Sequence, residues 1–182
     1  LGLPVSLWRD IIEETTPSYY LRFLYNHISY IPLSKRFSMI PRATLGLVVS
    51  DDSTVLFIDE FRVGGWQQVW RDDIRLLGIQ YGEYTESNFG IVGLKFQHLF
   101  MDNLFVKYGA DLMAYHPYVP ISRLDTDFSF QTLIEENLFL GYGASVTLRT
   151  VLGPISGGIS FNTIDPYPRY YFALGFSFNY ND

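Results

Sequence analysis

Apolar and polar residues alternate with a period of two over most of this chain. The clearest run is the last. From Arg169 to Tyr180, Tyr170, Phe172, Leu174, Phe176, Phe178 and Tyr180 share one face. Arg169, Tyr171, Ala173, Gly175, Ser177 and Asn179 share the other. A period of two is the signature of a strand, because successive side chains of an extended backbone point to opposite sides. The same alternation places Leu138, Leu140, Tyr142, Ala144, Val146 and Leu148 opposite Phe139, Gly141, Gly143, Ser145, Thr147 and Arg149. It recurs from Leu104 to Met113, Val92 to Gln97, Ile155 to Asn162, Arg42 to Val49 and Tyr19 to Tyr25, with a further segment suggested by Val55, Phe57 and Phe61. The pattern predicts eight strands, at about 19–31, 36–49, 54–63, 88–99, 103–115, 136–150, 154–163 and 168–180. Several exceed the usual soluble strand of about 5–6 residues and match the ~9–11 that a tilted strand needs to cross a bilayer.

The connections sort by length. Ser50 to Ser53, Met101-Asp102 and Thr150 to Gly153 are short, whereas 64–87 and 116–135 are long and polar. Short turns at one end and long loops at the other describe an outer-membrane barrel, with the turns periplasmic. Residues 32–35 and 164–167 are expected as brief outer loops, each with a proline. Residues 1–18 are expected as a linker, the end of a preceding element or a short helix around Trp8 to Glu14, and 19–182 as the barrel segment.

Composition narrows the class. Aromatic residues make up 18% of the chain, yet its mean hydropathy is only +0.08. No run of about 18 apolar residues is present, so a helical membrane protein is excluded, while alternation dilutes each apolar residue with a polar neighbour. The net charge of −6 argues against nucleic acid as a partner. Absence of cysteine removes disulfides and cysteine-bound metals. The chain starts at Leu1 without a signal peptide's basic start and apolar run, so a fragment or processed product is expected. A soluble β-sandwich also alternates, but its exterior carries abundant Lys, Glu and Thr. Here the non-apolar face is rich in Gly, Ser, Asn and Ala, which suits the crowded inside of a curved sheet. Tyr19, Tyr25, Tyr30, Tyr108, Tyr115, Tyr170 and Tyr180 fit an interfacial girdle. The fold class is therefore all-β, an antiparallel transmembrane β-barrel.

Two motifs carry a resemblance. Gly153-Pro154-Ile155, the aromatics Tyr170 to Phe172, and Leu174-Gly175-Phe176-Ser177-Phe178 resemble the closing strands of the BamA/TamA-like surface-antigen barrels. Phe61-Arg62-Val63-Gly64-Gly65 resembles that superfamily's F-x-L-G-G entry to a long loop folded back into the barrel. In many members that loop bears an Arg-Gly-aromatic tip against the inner wall; the corresponding stretch here is Arg75-Leu76-Leu77-Gly78-Ile79, with no Arg directly before the Gly. The resemblance implies a loop latch at Gly64, Gly65, Arg75 and Gly78. It also implies an assembly signal at Gly175, Phe178 and Tyr180, with Ala173 where a polar residue is usual. Three strands, the long loop, then five strands is the order implied for the last eight strands of a sixteen-stranded barrel. The variant is similar to barrels fused behind a patatin-like phospholipase domain.

No catalytic site is expected in this chain. The spacing of Gly153-Pro154-Ile155-Ser156-Gly157 is not that of the G-x-S-x-G elbow, so any patatin-like lipase activity would lie outside it. His27, His98 and His116 lack metal-ligand spacing, and no metal or cofactor is expected. His27 with Ser29, or His116 with Ser122 and Asp125, could be imagined as a lipid-modifying dyad or triad, but nothing in the sequence selects them. Arg42, Lys95, Gln97, Lys107, Asp111, Arg149, Ser160, Asn162 and Asn179 are expected to line a hydrated lumen, with the loop at 64–87 folded inward. The resulting expectation is a bacterial outer-membrane anchor and a protein or lipid translocation or assembly pore. Its partners would be outer-membrane lipids, the barrel assembly machinery and the remaining barrel strands, from the same chain or a second copy. The alternative is a complete eight-stranded barrel with a structural, adhesive or lipid-modifying role.

Overall fold

The computed structural model describes residues 20–50, 60–66, 73–116 and 138–175. These form ten strands: β1 (Tyr20–Ile28), β2 (Ile31–Ser34), β3 (Phe37–Ser50), β4 (Phe61–Val63), β5 (Tyr84–Glu86), β6 (Asn88–Met101), β7 (Leu104–His116), β8 (Leu138–Thr150), β9 (Gly153–Asn162) and β10 (Arg169–Leu174). The described residues are all-β. Eight strands make one antiparallel sheet in the order β1-β3-β6-β7-β8-β9-β10, with β2 also paired to β3. β1 and β2 act as one edge strand interrupted at Ser29-Tyr30, where the Ser29 amide donates to the Pro41 carbonyl at 3.1 Å. The expected helix around Trp8, the loop at 116–135 beyond His116, and Phe176 to Tyr180 of the last strand lie outside the described residues.

The strand expected at 54–63 is not in this sheet, so the described sheet has the β1–β2 edge and β3 before the loop and five strands after it, where three and five were expected. β3 pairs directly with β6, from Phe37 opposite His98 to Gly46 opposite Phe89, which leaves no place between them. Of that segment, Phe61–Val63 instead forms a separate two-stranded ladder with Tyr84–Glu86, and 54–59 lie outside the described residues. Alternation is a local property; it reports an extended backbone but not the neighbour with which that backbone pairs.

Removing that strand also reverses the end at which one turn lies. Phe37 pairs with His98, Leu104 with Leu148 and Thr150 with Gly153. Lys35-Arg36, Asp102-Asn103 and Val151-Leu152 therefore turn at one end of the sheet, bonded to it through Leu99 to Arg36 at 2.8 Å and Arg149 to Asn103 at 2.7 Å. The turn expected as an outer loop at 32–35 belongs with these tight turns. The opposite end carries the connections 51–87, 117–137 and 163–168. The two-residue turns thus share one end, whereas the short turn expected at Ser50 to Ser53 begins at the other, where Ser50 pairs with Tyr20.

The sheet is rolled. A cavity of about 400 Å³ is lined both by Ile28 of β1 and by Tyr171 of β10. Six strand steps would hold those two edges ~29 Å apart in a flat sheet.

The two faces differ sharply. One carries Leu21, Phe23 and Tyr25 of β1, Leu45 and Leu47 of β3, Val92 and Leu94 of β6, Leu112 of β7 and Tyr142 and Val146 of β8, all of them exposed. On β10, Tyr170 is 75% exposed, Phe172 70% and Leu174 67%. The other face buries Arg42, Thr44, Asp111, Ser145, Thr147, Ser156, Ser160 and Asn162. Tyr115, expected in a girdle, packs with Tyr84 against the core on this second face. Its register explains this: Tyr115 pairs with Phe89 and follows Met113 by two.

Candidate functional site

The second face is occupied by the long loop, and it is called the loop face below. Gly64 and Gly65 begin the fold-back, with φ of 138° and 84°. A side chain at Gly64 would place its Cβ 2.1 Å from the Gln80 carbonyl oxygen, so the double glycine is a steric requirement as well as a torsional one. Four main-chain bonds then knit the loop to itself. The Gly64 amide donates to Ile74 at 2.8 Å and the Ile74 amide to Arg62 at 2.9 Å; the Gly65 amide donates to Ile79 at 2.9 Å and the Leu76 amide to Gly65 at 3.2 Å. Phe61, Val63, Ile74, Leu76 and Ile79 form a core with Val48, Phe89, Ile91, Met113 and Phe139 of the sheet. Phe61 meets Phe89 edge-on at 5.3 Å, and the Arg22 guanidinium lies 4.1 Å above the Phe61 ring. Each such buried side chain contributes ~1.5–3 kcal/mol, which seats the loop more firmly than its short ladder could.

Arg75 to Gly78 touch the wall mainly through main-chain atoms. Arg42 Nη2 of β3 donates to the Arg75 carbonyl at 2.5 Å. The Leu77 amide donates to Asp111 Oδ2 of β7 at 3.2 Å. Asn162 Nδ2 of β9 donates to the Gly78 carbonyl at 2.6 Å. The approach is close enough to need glycine on both sides. A Cβ on Gly141 of β8 would fall 1.7 Å from the Leu77 carbonyl oxygen, and one on Gly78 would fall 2.3 Å from that of Phe161. Gly78 also has φ of 83°.

Asn162 has a second duty. Its Oδ1 accepts from the Ile164 and Asp165 amides at 2.8 and 2.6 Å, so one side chain fixes both the β9–β10 turn and the loop. Arg169 repeats this bridging, reaching Glu83 of the loop at 2.9 Å and Asp165 of the turn at 3.0 Å. That guanidinium, with the Tyr167 amide first in effect, holds the Asp165 carboxyl below its usual range. Trp66 stacks on Tyr171 of β10, centroids 5.1 Å apart.

The charged residues of the loop face are unevenly matched. Lys95 Nζ lies 3.3 Å from Asp111 Oδ2, and Asp111 is wholly buried. Its Oδ1 has no hydrogen-bond partner among the described residues and sits over Gly93, where a Cβ would come within 2.1 Å. Lys107 and Arg149 flank the Phe105 ring at 5.5 and 5.2 Å. Gln97 shares the face, opposite Lys107 in the β6–β7 register. Gly175 closes β10 with φ of 106°, its amide donating to Pro154 at 3.1 Å. Phe178, Asn179 and Tyr180 lie outside the described residues.

In the loop's own hairpin, burial, reinforced by the nearby Glu60 carboxylate, pushes the Glu86 carboxyl up to about 7.

Sequence reasoning placed Asn162 on this face but missed its bonds to the loop and turn, and it missed the bridging role of Arg169. A polar residue at the end of a strand next to a Pro-containing turn was the signal available for both. Away from this face, Ser29 Oγ and His27 Nε2 are 2.7 Å apart on the exposed edge strand. Among the described residues no carboxylate orients that imidazole, as a nucleophile–base pair requires. The described residues hold no group of three metal-binding side chains. In comparisons with known proteins, no family model and no curated protein matches this sequence.

Proposed function

We propose that this chain is the C-terminal half of a BamA/TamA-like barrel of the bacterial outer membrane, serving as membrane anchor and as a translocation or assembly pore. One observation carries the membrane part of this reading: rows of Leu, Phe, Tyr and Val stay exposed along one whole face, while the other face buries Asp111, Arg42, Ser160 and Asn162 beside the apolar core under the loop. In water, leaving so many large apolar side chains exposed forfeits ~1.5–3 kcal/mol each; in lipid tails there is no such loss. Strand lengths support it, since β3 and β6 have 14 residues and β7 and β8 have 13, enough to cross a bilayer at a tilt.

The part played by size rests on the loop. The interior of an eight-stranded barrel is filled by its own side chains or by one small ligand, whereas this face holds a folded loop and a further cavity. A larger circumference is required, which the missing strands of a sixteen-stranded barrel, from the same polypeptide or a second copy, would supply at the β1 and β10 edges. The seam beside β10 is then where the barrel opens laterally, and the loop is its plug. Any patatin-like lipase activity belongs to a domain outside this chain.

The chain has no cysteine, so single reporters can be placed freely. Spin labels at Leu94→Cys and Val146→Cys, in protein folded into vesicles, should collide with oxygen far more than with a water-soluble nickel chelate, and a label at Gln97→Cys should show the reverse. Equal nickel accessibility at all three would sink the membrane assignment. The mass of the detergent-solubilised native polypeptide tests the half-barrel: a heat-modifiable monomer of 21.0 kDa excludes it.

A further inference from the structure

We infer that the loop face carries a binding site for a phosphate group, formed by Arg42, Arg75, Lys95 and Lys107. These four line the cavity of about 400 Å³ between the loop and the tight-turn end, and none of the described residues lining it is a carboxylate. They arrive from β3, the loop, β6 and β7, so the convergence is a product of the tertiary fold and not of one charged run. Only Lys95 has a carboxylate partner among the described residues, and that partner, Asp111, is also held by the Leu77 amide. Arg42 Nε is buried with no hydrogen-bond partner among the described residues, although Nη2 of the same group is fixed by the Arg75 carbonyl. Guanidinium and ammonium groups gathered in a partly desolvated space repel one another, and an anion with several acceptor oxygens relieves that repulsion.

The chemistry selects phosphate over a simple carboxylate. The four cations outnumber the buried carboxylates beside them, Asp111 against Lys95 and Asp73 in the recess next to Arg42 and Arg75. The two charges left over exceed what a monoanion neutralises. Arginine forks bind phosphate oxygens in pairs, and lysine adds a point charge. Ser145, Thr147 and Ser156 make the β8–β9 side of the same cavity polar, with the Thr147 and Ser156 hydroxyls bonded to each other at 2.9 Å. The volume exceeds that of inorganic phosphate, and Ile28, Ile40, Phe105 and the stacked Trp66 and Tyr171 form an apolar side for the rest of a phosphate ester. The site does not depend on what touches the outer face.

The test uses the full-length protein in zwitterionic detergent and inorganic pyrophosphate as probe, followed by calorimetry. Saturable binding that weakens between low and moderate salt is expected, as exposed charge attraction is screened. The double variant Arg75→Gln/Lys107→Gln should lose at least tenfold in affinity, Lys107→Arg should retain it, and Lys35→Gln at the tight-turn end should leave it unchanged; heat-modifiable mobility checks that each variant is folded. Micelles doped with phosphatidic acid form the second arm. Competition with pyrophosphate assigns the site to a lipid headgroup, and failure to compete assigns it to a soluble phosphate. No binding to either probe at millimolar concentration, or equal binding by the folded double variant, overturns the site. Nickel-accessible outer rows together with pyrophosphate binding would overturn the membrane reading alone.

Discussion

Asp111 and Leu112 are neighbours in β7, and their environments are opposite. Asp111 is 0% exposed and Leu112 is 39% exposed. The same inversion holds along β8, where Ser145 is buried and Val146 is 47% exposed. A water-soluble sheet would exchange those environments, because a buried polar atom costs free energy unless it is bonded and an exposed apolar one forgoes its burial. The two faces therefore differ in what covers them: the loop lies on one, supplying both an apolar core and hydrogen-bond partners, and no described residue covers the apolar rows of the other.

The contrast can be broken from either side. The largest effect is expected at Asp111→Leu, which leaves Lys95 without its partner and the Leu77 amide without its acceptor. Losing one member of a buried pair costs about 3–5 kcal/mol, readable in urea unfolding of the lipid-folded protein; a loss below about 1 kcal/mol would mean that this face is wet. On the opposite side, Val146→Arg should cost ~2–4 kcal/mol in vesicles if its surroundings are lipid, and stay within about 0.5 kcal/mol if they are water. Gly141→Ala sharpens the loop's place: its Cβ must displace the Leu77 carbonyl, at ~1–3 kcal/mol, and hydrogen exchange at the Leu77 amide should speed up. Unchanged exchange there would mean that the loop does not rest on β8.

The smallest effect is a pH dependence confined to the loop's hairpin. The folded Glu86 carboxyl binds its proton more tightly than the unfolded one, with a value near 7 against 4.5. The folded form thus holds more protons between those values, and its stability falls as pH rises through them. Hairpin amide protection should be greatest below about pH 4.5, decline up to about 7 and then level off. Glu86→Gln should flatten that profile; an unaltered slope would assign the effect to another group.

Much of the sheet was legible because alternation states, residue by residue, which side a strand buries. Arg42, Lys95, Lys107 and Asp111 could be put on one face without coordinates for that reason. Val55, Phe57 and Phe61 misled because they alternate as well, while Phe61 and Val63 turn toward the loop's own core and the strand they imply has no place in the sheet. That single surplus strand shifted the Pro32 turn to the wrong end. The wall contacts of Arg75 to Gly78 left little trace, since a carbonyl or an amide is the same in every residue. Only their steric shadow is written in the sequence, as the glycines at 78 and 141.

Trp66 against Tyr171, and Glu83 against Arg169, tie the inserted segment to the terminal edge of the sheet. Peeling that edge away from β9 would therefore drag on both tethers at once. If the proposed barrel opens at this margin, its opening and the release of the loop behind it become one mechanical event, with no separate signal needed to connect them.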